Sequence, residues 1–232
     1  MTRPVEKVVD NVAEAAGALF IEQAETSVRE RGRFVVVLSG GSTPLKMYGW
    51  LRGGYADAAF WRDTHVLWGD ERFVPHEHPD SNYGAAKAAL LDHVPVPGAQ
   101  VHPWPFLEDD PEGSAAQLAD TLRTLLNDGP FDLTLLGLGE DAHTASLFPG
   151  TGAVFDEGLT TVVRPPGKGT RLSLTAGSLS RSRTVAFLVQ GEGKREALAR
   201  TLAPDENPNF DQTPARAIRA QNDLLWLTDV TL

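Results

Sequence analysis

An acid and an imidazole two residues apart, Asp141 and His143, are the pair in this chain best suited to do chemistry. They lie in Gly137-Leu-Gly-Glu-Asp-Ala-His-Thr-Ala-Ser-Leu-Phe-Pro149, just after the apolar run 131–136, which reads as a buried strand. A strand that stops at small residues and then presents an acid and an imidazole is how open α/β sheets build active sites. An imidazole with an ordinary pKa near ~6.5 takes a proton from water at neutral pH, so His143 is the best general-base candidate among the six histidines.

Two further segments have the same design. Ser39-Gly40-Gly41-Ser42-Thr43-Pro44 joins the apolar run 34–38 to a helix start, where proline costs nothing because the first-turn N–H has no partner anyway. Gly40 and Gly41 let the backbone approach a ligand, Ser42 and Thr43 offer hydroxyls, and the helix N-terminus adds a positive field. Phosphate is the ligand such a turn suits. The plainer alternative is a strand-to-helix turn that uses Ser or Thr only as a cap. Gly69-Asp70-Glu71-Arg72 follows a strand at 65–68. Three charges straight after a buried strand must be solvated, mutually paired or catalytic, and for an arginine alone a surface ion pair is the commoner outcome.

Together the three segments resemble the 6-phosphogluconolactonase family. Residues 137–149 nearly reproduce the family's Gly-x-Gly-x-Asp-Gly-His-Thr-Ala-Ser-Leu-Phe-Pro. Gly69–Arg72 with Val74-Pro75 matches its Gly-Asp-Glu-Arg segment, and Asp80-Ser81-Asn82 its Asp-Ser-Asn. Arg171 matches the arginine before a Ser/Thr-Leu-Thr strand, and Lys194 the lysine of Gly-x-x-Lys. The resemblance runs from the first helix to Asn222. It implies a three-layer α/β/α fold with a mostly parallel, Rossmann-like sheet, shared with sugar-phosphate isomerases. The implied reaction is hydrolysis of 6-phospho-D-glucono-1,5-lactone to 6-phosphogluconate in the oxidative pentose phosphate pathway, with no cofactor and no metal.

The resemblance also implies roles. His143 deprotonates water, Asp141 orients the imidazole, and Asp70 shapes the site. Arg72 serves either the oxyanion or the phosphate. Gly40, Gly41, Ser42, Thr43, Arg171 and Lys194 hold the phosphate. One position departs from the pattern: Ala142 stands where the family has glycine. Either that position needs φ > 0 and alanine is strained there, or the added methyl group intrudes on the substrate.

Rival readings fail on particular residues. Gly137-x-Gly139-x-x-Ala142 imitates a dinucleotide fingerprint, with Asp156 and Glu157 downstream. However, Glu140 and Asp141 would face a pyrophosphate with like charge, and Pro149-Gly150 cuts short the helix that should follow. Gly191–Lys194 fails as a P-loop because Leu188 replaces the first glycine and Arg195 the Ser/Thr. His76 and His78 near Asp80 suggest a metal, but no further ligands have convincing spacing. His65, His93 and His102 read as structural. Glucosamine-6-phosphate deaminases share the phosphate loop and the Asp-x-His turn, but continue with a helper glutamate that Thr144–Pro149 lacks. A sugar-phosphate-sensing regulator would need a basic helix-turn-helix segment, for which this chain has no room.

The elements that must position these residues are a helix over 8–31, strands at 34–38, 65–68, 101–104, 131–136, 171–174, 184–189 and 223–228, and helices over 82–91, 112–127 and 192–202. Strands alternating with helices predict a mostly parallel sheet covered on both faces, in a single domain spanning 1–232. Loops rich in Pro and Gly, 165–169 among them, are expected to border the site. With 41% hydrophobic and 22% charged residues the composition is ordinary for a globular protein. The net charge of −10, with no Lys/Arg run, disfavours nucleic acid and anionic membrane as partners. An anionic small substrate therefore needs a local basic pocket. The absence of cysteine excludes disulfides and thiolate chemistry. Residues 1–10 do not read as a secretory signal, no window suits a membrane span, and a cytoplasmic monomer is the favoured expectation.

Overall fold

The apolar runs of this chain assemble side by side. The computed structural model describes residues 4–232, and within them six strands form one parallel sheet. They are β1 (Pro4–Val8), β2 (Phe34–Leu38), β3 (Thr64–Trp68), β5 (Phe131–Gly137), β8 (Ser182–Val189) and β9 (Asp223–Thr228). Their order across the sheet is β1-β9-β8-β5-β2-β3. Every residue of β2, and all but the last of β5, is buried whichever way its side chain points, so both faces of the sheet are covered. The helices are α1 (Val12–Arg31), α2 (Ser42–Tyr55), α3 (Asn82–Ala89), α4 (Pro111–Leu126), α5 (Ala176–Ser180) and α6 (Arg195–Leu202).

After β2 the chain steps outward to β3, and later returns to lay β5 and then β8 on the other side of β2. The direction of winding therefore reverses between β2 and β5. A crevice opens there at the carboxyl ends of the strands, where parallel sheets place their ligands. The segments 39–43 and 138–143 leave those two strand ends.

A second, antiparallel sheet of three short strands lies beyond this edge. It consists of β4 (Asp70–Arg72), β7 (Arg171–Leu174) and β6 (Thr160–Val163), in the order β4-β7-β6. The run 171–174 is a strand as expected, but it belongs to this small sheet. β4 and β6 were not anticipated: β4 is three charged residues, and its strand character comes from pairing with β7, not from apolar alternation.

Other boundaries also differ from the sequence reading. The first helix starts at Val12 because the Asn11 side chain accepts the Glu14 N–H at 3.2 Å and caps it, while Val8 belongs to β1. β1 shows no hydrophobic pattern, since all five residues are exposed. It is held by its parallel backbone ladder to β9, from Pro4↔Leu224 to Val8↔Thr228. The expected strand at 101–104 reduces to a single bridge, Val66↔Val101, with the His102 N–H on the Val66 carbonyl at 2.9 Å. Residues 192–194 form a 3₁₀ turn before α6 begins.

His65 on β3 and His102 stack with ring centroids 5.5 Å apart, and Nδ1 of one lies 3.2 Å from Nε2 of the other. One ring must lend a lone pair to the other's N–H, so the arrangement requires at least one neutral ring. Burial lowers both pKa values, with Arg33 adding to the effect on His65 and His65 to that on His102. A histidine with a depressed folded pKa leaves the unfolded chain the better proton acceptor, so its stabilising contribution is complete above pH ~6.5 and shrinks as pH falls below it. Thermal unfolding between pH 7.5 and 5.5 should accordingly show a smaller loss of Tm in the His65→Gln/His102→Gln double variant than in the parent. Parallel Tm profiles would remove the pair from this role.

Candidate active site

The segment after β5 is a tight turn built around His143. Its imidazole Nδ1 lies 2.5 Å from Asp141 Oδ1, and its backbone N–H donates to the same oxygen at 3.0 Å. With Nδ1–H directed at the carboxylate, Nε2 carries the free lone pair. Burial opposes charge on Asp141, but the two donations from His143, together with the His143 and Lys168 charges, hold its carboxyl below the ordinary range. The imidazole also stacks on Phe148, centroids 4.4 Å apart. The turn is closed by the Gly139 N–H on the His143 carbonyl at 2.8 Å and by the Thr144 hydroxyl on the Gly137 carbonyl at 2.9 Å.

Two residues set the conformation of this turn. Gly139 sits directly beneath the imidazole, where a Cβ would collide with His143 Nδ1 and lie 2.5 Å from Asp141 Oδ1. Ala142 adopts φ 68° with its methyl group fully buried, and it does not line the cavity. Of the two alternatives for this position, the left-handed backbone is the one present, and the methyl group points into the core, not at a ligand. Ala145 adopts φ 47°, so left-handed alanines bracket His143.

Loop 39–43 faces this turn across the crevice. Gly40 packs so closely on the Asn82 carboxamide that a Cβ would overlap Asn82 Oδ1, and Gly41 adopts φ 103°. No side chain caps α2, which leaves its first-turn donors facing the crevice. Tyr48 holds the strand end from behind, donating to the Ser39 carbonyl at 2.7 Å.

In β4 the alternation of a strand sends Asp70 and Arg72 to one face and Glu71 to the other. Glu71, 2% exposed, accepts from the N–H groups of Arg72, Asn82 and Tyr83 at 2.8, 2.7 and 2.8 Å and from the Ser81 hydroxyl at 3.0 Å. Asp70 accepts from Ser146 Oγ at 2.7 Å. Burial pushes its carboxyl up, against the Ser146 hydrogen bond and the Arg72, His143 and Arg171 charges. Arg72 donates to the Asp80 carbonyl at 2.7 Å.

A cavity of about 270 Å³ at the switch point is lined by Gly40, Gly41, Ser42, Thr43, Asp70, Arg72, His143 and Lys194, among others. Asp141 stands behind His143 and does not line the cavity. Arg171 lies in an adjoining cavity with Arg72, His143 and Lys168. The two cations expected to share one phosphate thus line different spaces. Gln190, Ser146 and Lys168 were not singled out from the sequence. Gln190 follows β8 on the same sheet edge and accepts from Thr43 and Lys46 at 3.3 and 3.2 Å. Its position directly after a buried strand was the available signal. His76 and His78 do not converge: His76 is engaged with the Trp104 carbonyl at 2.8 Å, and His78 accepts the Asp80 N–H at 3.1 Å.

A parallel sheet with a glycine-rich turn and an Asp–His pair at its switch point defines an α/β enzyme that carries its chemistry on strand-end loops. The family model for glucosamine-6-phosphate isomerases/6-phosphogluconolactonase matches residues 8–226, and the chain belongs to that family. It is 39% identical to a 6-phosphogluconolactonase from a Nostoc species, with 99% of this chain and 96% of that protein aligned. It is 43% identical to one from a Synechocystis species, over 88% and 85% of the two chains. The solved 6-phosphogluconolactonase of Thermotoga maritima superposes with a TM-score of 0.85 at 27% identity, covering 98% and 99% of the two chains.

The collision beneath the imidazole makes Gly139→Ala a test of the turn. If the imidazole is the base, as the sequence resemblance implies, the variant should keep a parent-like unfolding transition yet lose about 100-fold or more in kcat. Full activity would mean that the imidazole does not need this seat. At Ala142, relief of left-handed strain of about 1 kcal/mol opposes the loss of a buried methyl group worth about 0.8 kcal/mol. Ala142→Gly should therefore change unfolding free energy by less than about 1 kcal/mol and retain activity, whereas β-branched Ala142→Val should be strongly destabilised. Denaturant titrations of the two variants distinguish this from a position that tolerates any small side chain.

Proposed function

We propose that this chain is a 6-phosphogluconolactonase that hydrolyses 6-phospho-D-glucono-1,5-lactone to 6-phosphogluconate. The observation that carries the reading is His143, backed by Asp141, lining one crevice with an uncapped helix N-terminus, Ser42, Thr43 and Lys194. A base beside an anion-binding turn suits an ester that carries a phosphate. Membership of the family and the names of its relatives support the same reaction.

In this reading, Nε2 of His143 takes a proton from a water molecule as its oxygen attacks the lactone carbonyl carbon C1. The carbonyl electron pair moves onto oxygen, and the Arg72 guanidinium faces the resulting oxyanion. As the C1–O5 bond breaks, the imidazolium returns the proton to O5, and the base is restored. Asp141 holds the ring orientation and stabilises the imidazolium, a role matched by a carboxylate that stays ionised. Asp70, anchored by Ser146 and Asn82, sets the wall against which C1 is presented. The α2 N-terminus, Ser42, Thr43 and Lys194 take the phosphate. The deaminase alternative needs a helper glutamate after the Asp-x-His turn, and Thr144–Pro149 has none.

His143→Ala should lower kcat about 100-fold or more. Retention of most activity above spontaneous hydrolysis would place the base elsewhere. Lys194→Ala should weaken kcat/KM for the phospho-lactone about ten- to a hundredfold, the scale of a lost charge-assisted contact. Its effect on unphosphorylated gluconolactone should be slight. Equal losses on the two substrates would remove Lys194 from the phosphate.

A further inference from the structure

Three cations border an adjoining cavity of about 430 Å³ that Lys194 does not line, Arg72 being shared between the two cavities. Arg72 and Arg171 are directly opposed across the β4–β7 ladder. Like charges in that position repel, and a strand pair keeps them only when something offsets the cost. Arg72 has one N–H on the Asp80 carbonyl, while Arg171, half-buried, makes no hydrogen bond or ion pair among the described residues. The third cation is Lys168. Its ammonium lies 5.2 Å from the centroid of Phe148, the ring that stacks on His143. It is carried by a short loop whose flanking residues, Gly167 and Gly169, both adopt left-handed backbone, with φ 72° and 69°. One carboxylate, Asp70, borders the same cavity, but its oxygens face Ser146 and Asn82.

We infer that Lys168, with Arg171 and Arg72, forms a second anion pole that receives the carboxylate end of the product, separate from the phosphate pole at Lys194. The inference rests on the lactonase reading and adds a position to it. Hydrolysis converts a neutral ester carbonyl into an anion: C1 gains the water oxygen, loses O5, and the resulting acid ionises. The product is thus anionic at both ends, whereas the substrate is anionic only at its phosphate. Two adjoining cavities that share His143, each with its own lysine, fit a product anionic at both ends. This arrangement also favours the oxyanion that forms at C1 on the way, because charge develops toward the Arg72–Arg171 pair. Lys168 reaches the pole from a loop and not from a strand, so its removal subtracts charge without disturbing either sheet.

Equilibrium titration of the full chain with two ligands tests the assignment. One is 6-phosphogluconate, and the other is glucitol 6-phosphate, which keeps the phosphate and the hydroxyl chain but has an alcohol in place of the carboxylate. The parent should bind 6-phosphogluconate about tenfold or more tighter than glucitol 6-phosphate. In Lys168→Met that preference should collapse toward unity, with the glucitol 6-phosphate affinity unchanged within about twofold, and Lys168→Arg should restore it. Lys194→Met should weaken both ligands alike. The assignment is overturned if Lys168→Met weakens both ligands equally, since the phosphate would then sit at Lys168, or if it changes neither. Failure of the parent to bind either phosphate ligand would overturn the lactonase reading itself, a result distinct from loss of the carboxylate preference alone.

Discussion

The buried carboxylate of Glu71 is the point on which the site's geometry depends. By accepting the N–H groups of Arg72, Asn82 and Tyr83 and the Ser81 hydroxyl, it fastens the short strand β4 to the start of α3. Alternation along β4 then fixes the other two charges of the segment: with Glu71 turned inward, Asp70 and Arg72 must face the crevice. The constraint spreads from there. Asn82, held by Glu71, sets its carboxamide against Gly40 and so positions the loop after β2. Asp70, held by Ser146, ties β4 to the turn after β5. One acid, which itself lines neither cavity, thereby connects all three strand-end segments. Burial raises the pKa of this carboxyl, and the backbone donors of Tyr83, Asn82 and Arg72 oppose that rise, the first two at a helix start where they have no intrahelical partner.

The Asp–His turn meets a different constraint, which is close packing of backbone. Placing an imidazole over its own chain leaves no room for a side chain at Gly139, and closing the loop so tightly drives Ala142 and Ala145 into left-handed backbone. Alanine bears this at a cost of order 1 kcal/mol, small beside the stability of a domain but local to the residue that precedes His143. Strain of this kind gathers where the fold over-determines a conformation, and here the determinants are the Asp141 contacts and the Phe148 stack.

Electrostatically the site runs against the rest of the molecule. A chain of net charge −10 places Arg72, Lys168, Arg171 and Lys194 around two joined cavities. Asp70 and Asp141 moderate that field around His143. One is pushed toward its neutral form by burial, while the other is held ionised by the hydrogen bonds and charges around it. Two carboxylates of the same chemical type thus have pKa values moved in opposite directions by their surroundings alone.

The sequence by itself determined the parallel α/β architecture, because buried β-branched runs alternating with helical spacing leave little else to build. It also determined the three strand-end segments, since glycine-rich strings with fixed charged residues carry their identity locally. Those residues do converge on the edge that the alternation implied. Tertiary structure alone decided the rest. β1 and β4 are strands only because β9 and β7 pair with them: the side chains of β1 are solvated and those of β4 are all charged, so neither has a hydrophobic period to read. The sequence left two meanings open for Ala142, and only its φ and the direction of its buried methyl group chose between them. Arg171 and Lys194 could be recognised as cations near a ligand, yet their separation into adjoining cavities depends on which sheet each strand joins. Lys168 lacked any local signal, because a lysine in a Pro/Gly loop reads as solvated until the fold lays it over Phe148 beside His143. Local pattern records which faces are buried and which turns are tight. The distance between two charges such as Arg171 and Lys194 is set by the packing of everything between them.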